Sequence, residues 1–168
     1  EFVQRIRQLS GEDETAAQRE LDLCIQRIYT YAALSDKYDS RVHATPLRNV
    51  TLAMKEALGV IGIIAPEEAG LLGFVSTVFP AIAMGNAVVV VPSAHYALLA
   101  TDFYQVLDTS DLPGGVVNII TGNQDVLAGA YVGMGSCIGV IEMGIGGLDG
   151  HLAAVGHPIL GDARYGGG

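Results

Sequence analysis

At 168 residues and 50% apolar content the chain is long enough for one sizeable domain with a filled core. Its formal charge of −9 and pI near 4.6 exclude a surface built to neutralise phosphates, and the distribution sharpens this. Eight of the nine basic residues lie at or before Lys55, none lies between Glu56 and Ala163, and ten carboxylates fall in that interval, so a nucleic-acid partner is not expected.

The first segment, Glu12 to Tyr38, predicts one long amphipathic helix. Ala17, Leu21, Cys24, Ile28 and Tyr31 or Ala32 recur at three- and four-residue steps, with Arg19, Glu20, Gln26 and Arg27 off the stripe. Ser10 suits the N-cap, and Glu12, Asp13 and Glu14 suit the first turn. Cys24 on the stripe reads as a buried core thiol. Asp39-Ser40 and Thr45-Pro46 end the helix, because the residue before proline is driven to extended geometry.

From Val60 onward the period changes. "VIGIIA" (Val60 to Ala65) and "AVVVV" (Ala87 to Val91) are short, wholly apolar runs suited to strands covered on both faces, and "VVNII" (Val116 to Ile120) is a third strand. Leu71 to Met84 and His95 to Leu107 have helix length between them, and Asp111 to Gly115 is a turn. Strand, helix, strand, helix, strand at this spacing predicts an α/β fold, a Rossmann-like parallel sheet with flanking helices preceded by the long N-terminal helix. The apolar stretch Ala69 to Val91 would reach across about 30 Å of hydrocarbon, but Pro80 and Gly85-Asn86 cut it and no cation flanks it, so no membrane span is expected.

After Gly122 the composition shifts. Sixteen of the 22 glycines lie from Gly114 onward, and Gly129 to Gly150 shows neither a helical nor an alternating pattern. Glycine at this density makes an ordered core costly in backbone entropy. Two domains are therefore expected, 1–128 as the folded region and 129–168 as a glycine-rich tail. Cys24 and Cys137 stand far apart with no visible leader, which suggests reduced thiols and a cytoplasmic setting. The chain starts at Glu1 without an initiator methionine, so a fragment or processed product is expected.

Three pieces, "YAALSDKY", "LGVIGIIAPEEAGLLGFVSTVFPAIAMGNAVVVVPS" (Leu58 to Ser93) and "DLPGGVVNIITG" (Asp111 to Gly122), resemble the aldehyde dehydrogenase superfamily in order and spacing. In that family a first strand ends in Ala-Pro-Trp-Asn, and a helix with an internal proline leads to Gly-Asn-Thr-Val-Val-Leu-Lys-Pro-Ser. Leu-Pro-x-Gly-Val-Val-Asn-x-Val-x-Gly follows. The resemblance covers roughly Glu12 to Ala128, about three quarters of the chain. It implies oxidation of a small-molecule aldehyde to a carboxylic acid with NAD or NADP, by a cysteine nucleophile, an oxyanion-holding asparagine and a general-base glutamate, in a homo-oligomer.

Carried over residue by residue, the resemblance puts the cofactor against Ile64, Pro66, Val91, Pro92, Ser93 and Gly122. The family's ribose-binding lysine falls on Val91, which supplies no ammonium group, so any dinucleotide would rely on backbone and helix N-termini. The oxyanion position falls on Glu68, where a carboxylate repels developing negative charge. Glu67-Glu68 also suit a helix N-terminus. "VIEMGIGG" resembles the family's Leu-Glu-Leu-Gly-Gly-Lys and puts Glu142 at the general base. Cys137 precedes Glu142, whereas the family's nucleophile follows the glutamate, so neither nucleophile nor metal site is assigned. The Pro-Glu-Glu and Val-Pro-Ser variants are similar to a divergent, non-catalytic branch such as the family sixteen aldehyde dehydrogenases, which leaves a pseudoenzyme or scaffold domain as the alternative.

The last segment, "HLAAVGHPILGDARYGG" (His151 to Gly167), resembles the C-terminal motif of the RluA-like pseudouridine synthases. That family's Arg-Leu-Asp catalytic loop has no counterpart here, so an RNA-modifying activity rests on the tail alone. Two unrelated signatures raise the expectation that separate sequences meet between Gly122 and His151.

Overall fold

The computed structural model describes residues 1–46, 49–67 and 70–127, and the backbone of residues 137–142. The expected tail motif, the Glu68 position and the junction segments 128–136 and 143–150 lie outside these residues.

The chain opens with two helices, α1 (Phe2–Ser10) and α2 (Glu14–Leu34). Gly11 breaks them apart with φ +73°, and its N–H closes α1 on the Arg7 carbonyl. The expected capping role of Ser10 is therefore corrected. Its hydroxyl donates to the Ile6 carbonyl and accepts from the Glu12 N–H, while Asp13 caps α2 by accepting from the Ala16 N–H at 2.8 Å. The helix ends at Leu34, short of the expected Tyr38. Its stripe forms as expected: Ala17 and Cys24 are buried and Leu21 and Ile28 pack on the core.

A hairpin of β1 (Arg41–Ala44) and β2 (Val50–Ala53) follows, where the sequence suggested only a helix end. Val42 faces Leu52 and Ala44 faces Val50, so the alternation gathers these four on one face, and all are exposed.

The main sheet holds β3 (Val60–Ile64), β4 (Ala87–Val91), β5 (Val117–Ile119) and β6 (Cys137–Glu142), all parallel, in the order β5-β4-β3-β6. Helices α3 (Gly70–Ala83) and α4 (Ala97–Asp108) link β3 to β4 and β4 to β5. β6 is a correction to the patternless reading of Gly129 to Gly150. Its backbone pairs with β3 from Cys137 to Glu142, with one irregularity near Val60. The apolar run Ala69 to Val91 resolves into α3 and β4, and among the described residues no helix is long and apolar enough to cross a membrane.

The core lies between this sheet and α1 to α4. Ile63, Val88 and Val90 are fully covered, as strands beneath helices should be. Phe103 of α4 meets Phe2, Phe74 and Phe79 edge-on at 5.8–6.1 Å, joining α1, α3 and α4 around one ring. Asn86 fixes the turn into β4. Its Nδ2 donates to the Ala81 carbonyl and its Oδ1 accepts from the Gly59 N–H, both at 3.0 Å, so one buried amide ties the end of α3 to the start of β3.

Candidate functional site

Parallel pairing places the ends of the strands side by side. Ile64 ends β3 opposite Val91 of β4 and, on the other side, opposite Glu142 of β6, while Val90 lies opposite Ile119 of β5. Ile64 and Pro66, Val91 to Ser93, Gly122 and Glu142 therefore leave four strands at one edge of the sheet. From β3 the chain steps to β4 and β5 on one side and returns to β6 on the other. The reversal falls between β3 and β6, at the carboxyl ends where doubly wound sheets bind ligands. Only the backbone of Glu142 is described there, and Glu68 lies outside the described residues.

The edge is apolar and closely packed. Ile64 and Val91 are buried with Val89 and Leu127 against them, which turns the Val91 side chain into packing rather than a ligand contact. Pro66, Pro92 and Ser93 are buried, whereas Gly122 is exposed and a Cβ on it would lie 2.9 Å from Leu127 Cδ1. The Ser93 hydroxyl accepts from the His95 N–H at 3.2 Å, and the Ser93 carbonyl accepts from the Tyr96 N–H at 3.1 Å, so this residue closes the turn that starts α4.

Between the starts of α3 and α4 runs a crevice walled by Pro66, Leu71 and Phe74 on one side and Pro92, Tyr96 and Leu99 on the other. Its free volume is about 10 Å³, room for about one water. A sugar or base cannot enter it and can only lie across its rim. Among the described residues no cation and no thiol lines it, and Tyr96 is one of its walls; burial raises the Tyr96 phenol, helped by the charges of Glu20 and Glu12. A roomier apolar hollow of about 400 Å³ lies at the opposite edge of the sheet, against Leu58, Ile61, Pro80, Met84 and Asn86.

Gln124, which sequence reasoning passed over, and Glu20, which it placed off the inward stripe of α2 and which in fact reaches α3, hold the edge in shape. Gln124 Nε2 donates to the Ala65 carbonyl at 2.9 Å, and Glu20 of α2 accepts from the Leu72 N–H at 3.1 Å. Both act across more than 50 residues, which no local pattern reveals.

A parallel sheet with this strand order and its reversal beside β3 defines a doubly wound α/β fold of the dinucleotide-binding type. Residues 1–136 match the family described as the aldehyde dehydrogenase family. A vanillin dehydrogenase of Amycolatopsis sp. is 32% identical over 118 residues, 70% of this chain and 24% of the relative. A hydroxyisobutyraldehyde dehydrogenase of Mycolicibacterium austroafricanum is 33% identical over 123 residues, 73% of this chain and 24% of the relative. The crystal structure of an NAD-dependent aldehyde dehydrogenase from Sinorhizobium meliloti superposes with a TM-score of 0.78 at 21% identity, over 83% of this chain and 28% of that one. The chain belongs to the aldehyde dehydrogenase family, and it spans about a quarter of the length of the curated relatives it matches.

Proposed function

We propose that this chain is the nucleotide-binding part of an aldehyde-oxidising enzyme, a partial or catalytically degenerate portion that cannot oxidise an aldehyde alone. Residues 1–128 form that part, completed by β6 from the 129–168 tail. The observation that carries the reading is the gathering of Ile64, Pro66, Val91, Pro92, Ser93 and Gly122 at the carboxyl edge beside the sheet reversal.

The residues fit a supporting wall rather than an enclosing pocket. Ile64 and Val91 back the edge, Pro66 and Pro92 present rigid apolar surface, and Ser93 sets the direction of α4. NAD or NADP bound across this wall would accept a hydride from the aldehyde carbon. With Val91 in place of an ammonium group, contact rests on shape and backbone, and binding is weak and insensitive to salt. Glu142, ending β6 at the reversal, is the candidate general base, and Glu68 at the oxyanion position disfavours catalysis.

One observation favours a second reading, a non-catalytic scaffold domain: the crevice has room for about one water, and among the described residues no cation lines it. Adding NAD or NADP and following the thermal midpoint separates the two. A ligand that binds only the folded form raises the midpoint, so a rise supports the cofactor wall and a flat response supports the scaffold.

The apolar face of the hairpin, Val42, Ala44, Val50 and Leu52, suits assembly into a homo-oligomer, since a two-stranded hairpin is marginal alone. A solution mass above the 17.5 kDa chain supports that assembly, and 17.5 kDa at high concentration counts against it. The free, buried Cys24 thiol fits a cytoplasmic setting. The tail motif 151–167 carries the remaining possibility of a pseudouridine-synthase relationship, which binding of structured RNA by the full chain would support.

A further inference from the structure

Ala65 and Pro66 after β3, with Gly70, Leu71 and Phe74 of α3, form one wall of the crevice, and side chains from distant parts of the chain hold both parts of it. At its start the Ala65 N–H donates to the Val91 carbonyl and the Ala65 carbonyl accepts from Gln124, each at 2.9 Å. At its far end Glu20 reaches from α2 into the first turn of α3, where Oε1 accepts from the Leu72 N–H at 3.1 Å. Glu20 lies three residues after Ala17 and four before Cys24, both fully buried, so the helix face that packs inward also aims this carboxylate. Gly70 leaves room for it. Its φ is +38°, and a Cβ there would stand 2.8 Å from Glu20 Oε1.

The position is a poor one for a carboxylate kept for stability alone. Burial pushes the Glu20 carboxyl up, the Leu72 and Leu71 amides pull it down by less, and the charge of Glu12 adds to the rise. Glutamine would offer the same acceptor without burying a charge. What glutamine lacks is the charge, which strengthens the bond to an α3 amide that the helix leaves unpaired.

We propose that Glu20 is a positioning residue for the crevice, its carboxylate clamping the first turn of α3 and so fixing the wall that Gly70, Leu71 and Phe74 form. This rests on the reading of that wall as the cofactor surface. The clamp is tight while Glu20 is charged and slackens as it takes up a proton, above the ordinary glutamate range.

Among the described residues the groups that act on Glu20 are few. Glu12 precedes α2, Tyr96 starts α4, Cys24 lies one turn along α2 with Arg27 beside it, and α3 itself carries no charged side chain. Burial raises both Tyr96 and Cys24, so neither ionises while Glu20 titrates. Glu12→Gln removes the carboxylate whose charge raises Glu20.

The test is a pH titration of the amide resonances of Leu71 and Leu72 in the full chain, in the Glu12→Gln background, with and without Glu20→Gln, each also read with NAD added. The expected result is a titration centred above the ordinary carboxylate range that vanishes in E20Q, although E20Q melts no lower at neutral pH. NAD should then bind E20Q several-fold more weakly. A merely structural acceptor would leave NAD affinity unchanged in E20Q, and that result overturns the proposal. So do amides that fail to titrate, or that titrate equally in E20Q. Titration of the amides with no shift from NAD in either protein supports the clamp and overturns only the cofactor reading.

Discussion

Asn86 is 5% exposed and uses both ends of its side-chain amide, one on Ala81 and one on Gly59. Replacing it by alanine takes the acceptor from the Gly59 N–H and one of two donors from the Ala81 carbonyl, which keeps the backbone N–H of residue 86, at about 1 kcal/mol for each lost bond. Asn86→Ala should lower the urea midpoint accordingly, and an unchanged midpoint would show that water replaces both bonds. Cys24 belongs to the same scale. It is 1% exposed, and burial, with the charge of Glu20, pushes its thiol from 9.0 up to about 12. A raised folded value means that the neutral thiol is favoured by folding. Stability is thus fully present below pH 9 and falls as the pH climbs toward 12. Urea midpoints measured across that window should decline more steeply in the natural chain than in Cys24→Ala, and equal slopes would remove Cys24 from the account. The burial of Cys24 was legible from its helical spacing. The role of Asn86 was not, because the same Gly-Asn pair that announces a turn says nothing of the two carbonyl and amide groups, one of them 27 residues away, that the side chain joins.

At the scale of elements, Phe103 joins three helices through edge contacts with Phe2, Phe74 and Phe79. Phe103→Ala should cost about 3–5 kcal/mol, read as a drop in the denaturation midpoint, because the three rings around it cannot all collapse into the gap. A loss under 1 kcal/mol would mean that α1 and α4 close over the space. β3, β4 and β5 could be read from sequence because each is a short, mainly apolar run with helix-length spacers, and the stripe of α2 because its period is regular. Elsewhere local rules competed. Ser10 and Asp13 are both good caps, and the left-handed Gly11 between them decides for Asp13. β1 and β2 are four residues each, too short for alternation to stand out. β6 was hidden in a glycine-rich stretch whose cost in entropy is offset by pairing along the whole of β3.

At the scale of the molecule, the four-stranded sheet turns scattered residues into one edge. Ile64, Val91 and Gly122 are far apart in sequence, and the parallel register alone brings them together. The resemblance named these positions, but the closeness of the wall was not readable. It arises from Phe74 and Tyr96 facing the narrow space between the starts of α3 and α4, and from Glu20 and Gln124 bonding to Leu72 and Ala65. The central claim is that this carboxyl edge, lacking a lysine, still supports a dinucleotide. The most direct test is a titration of the labelled chain with NAD, following backbone amide resonances. The account predicts shifts gathered at Ile64, Ala65, Val91, Ser93 and Gly122, with Leu58, Gly59, Asn86 and Ala87 at the opposite edge unmoved. Shifts confined to that opposite edge, or none at millimolar NAD, would contradict it.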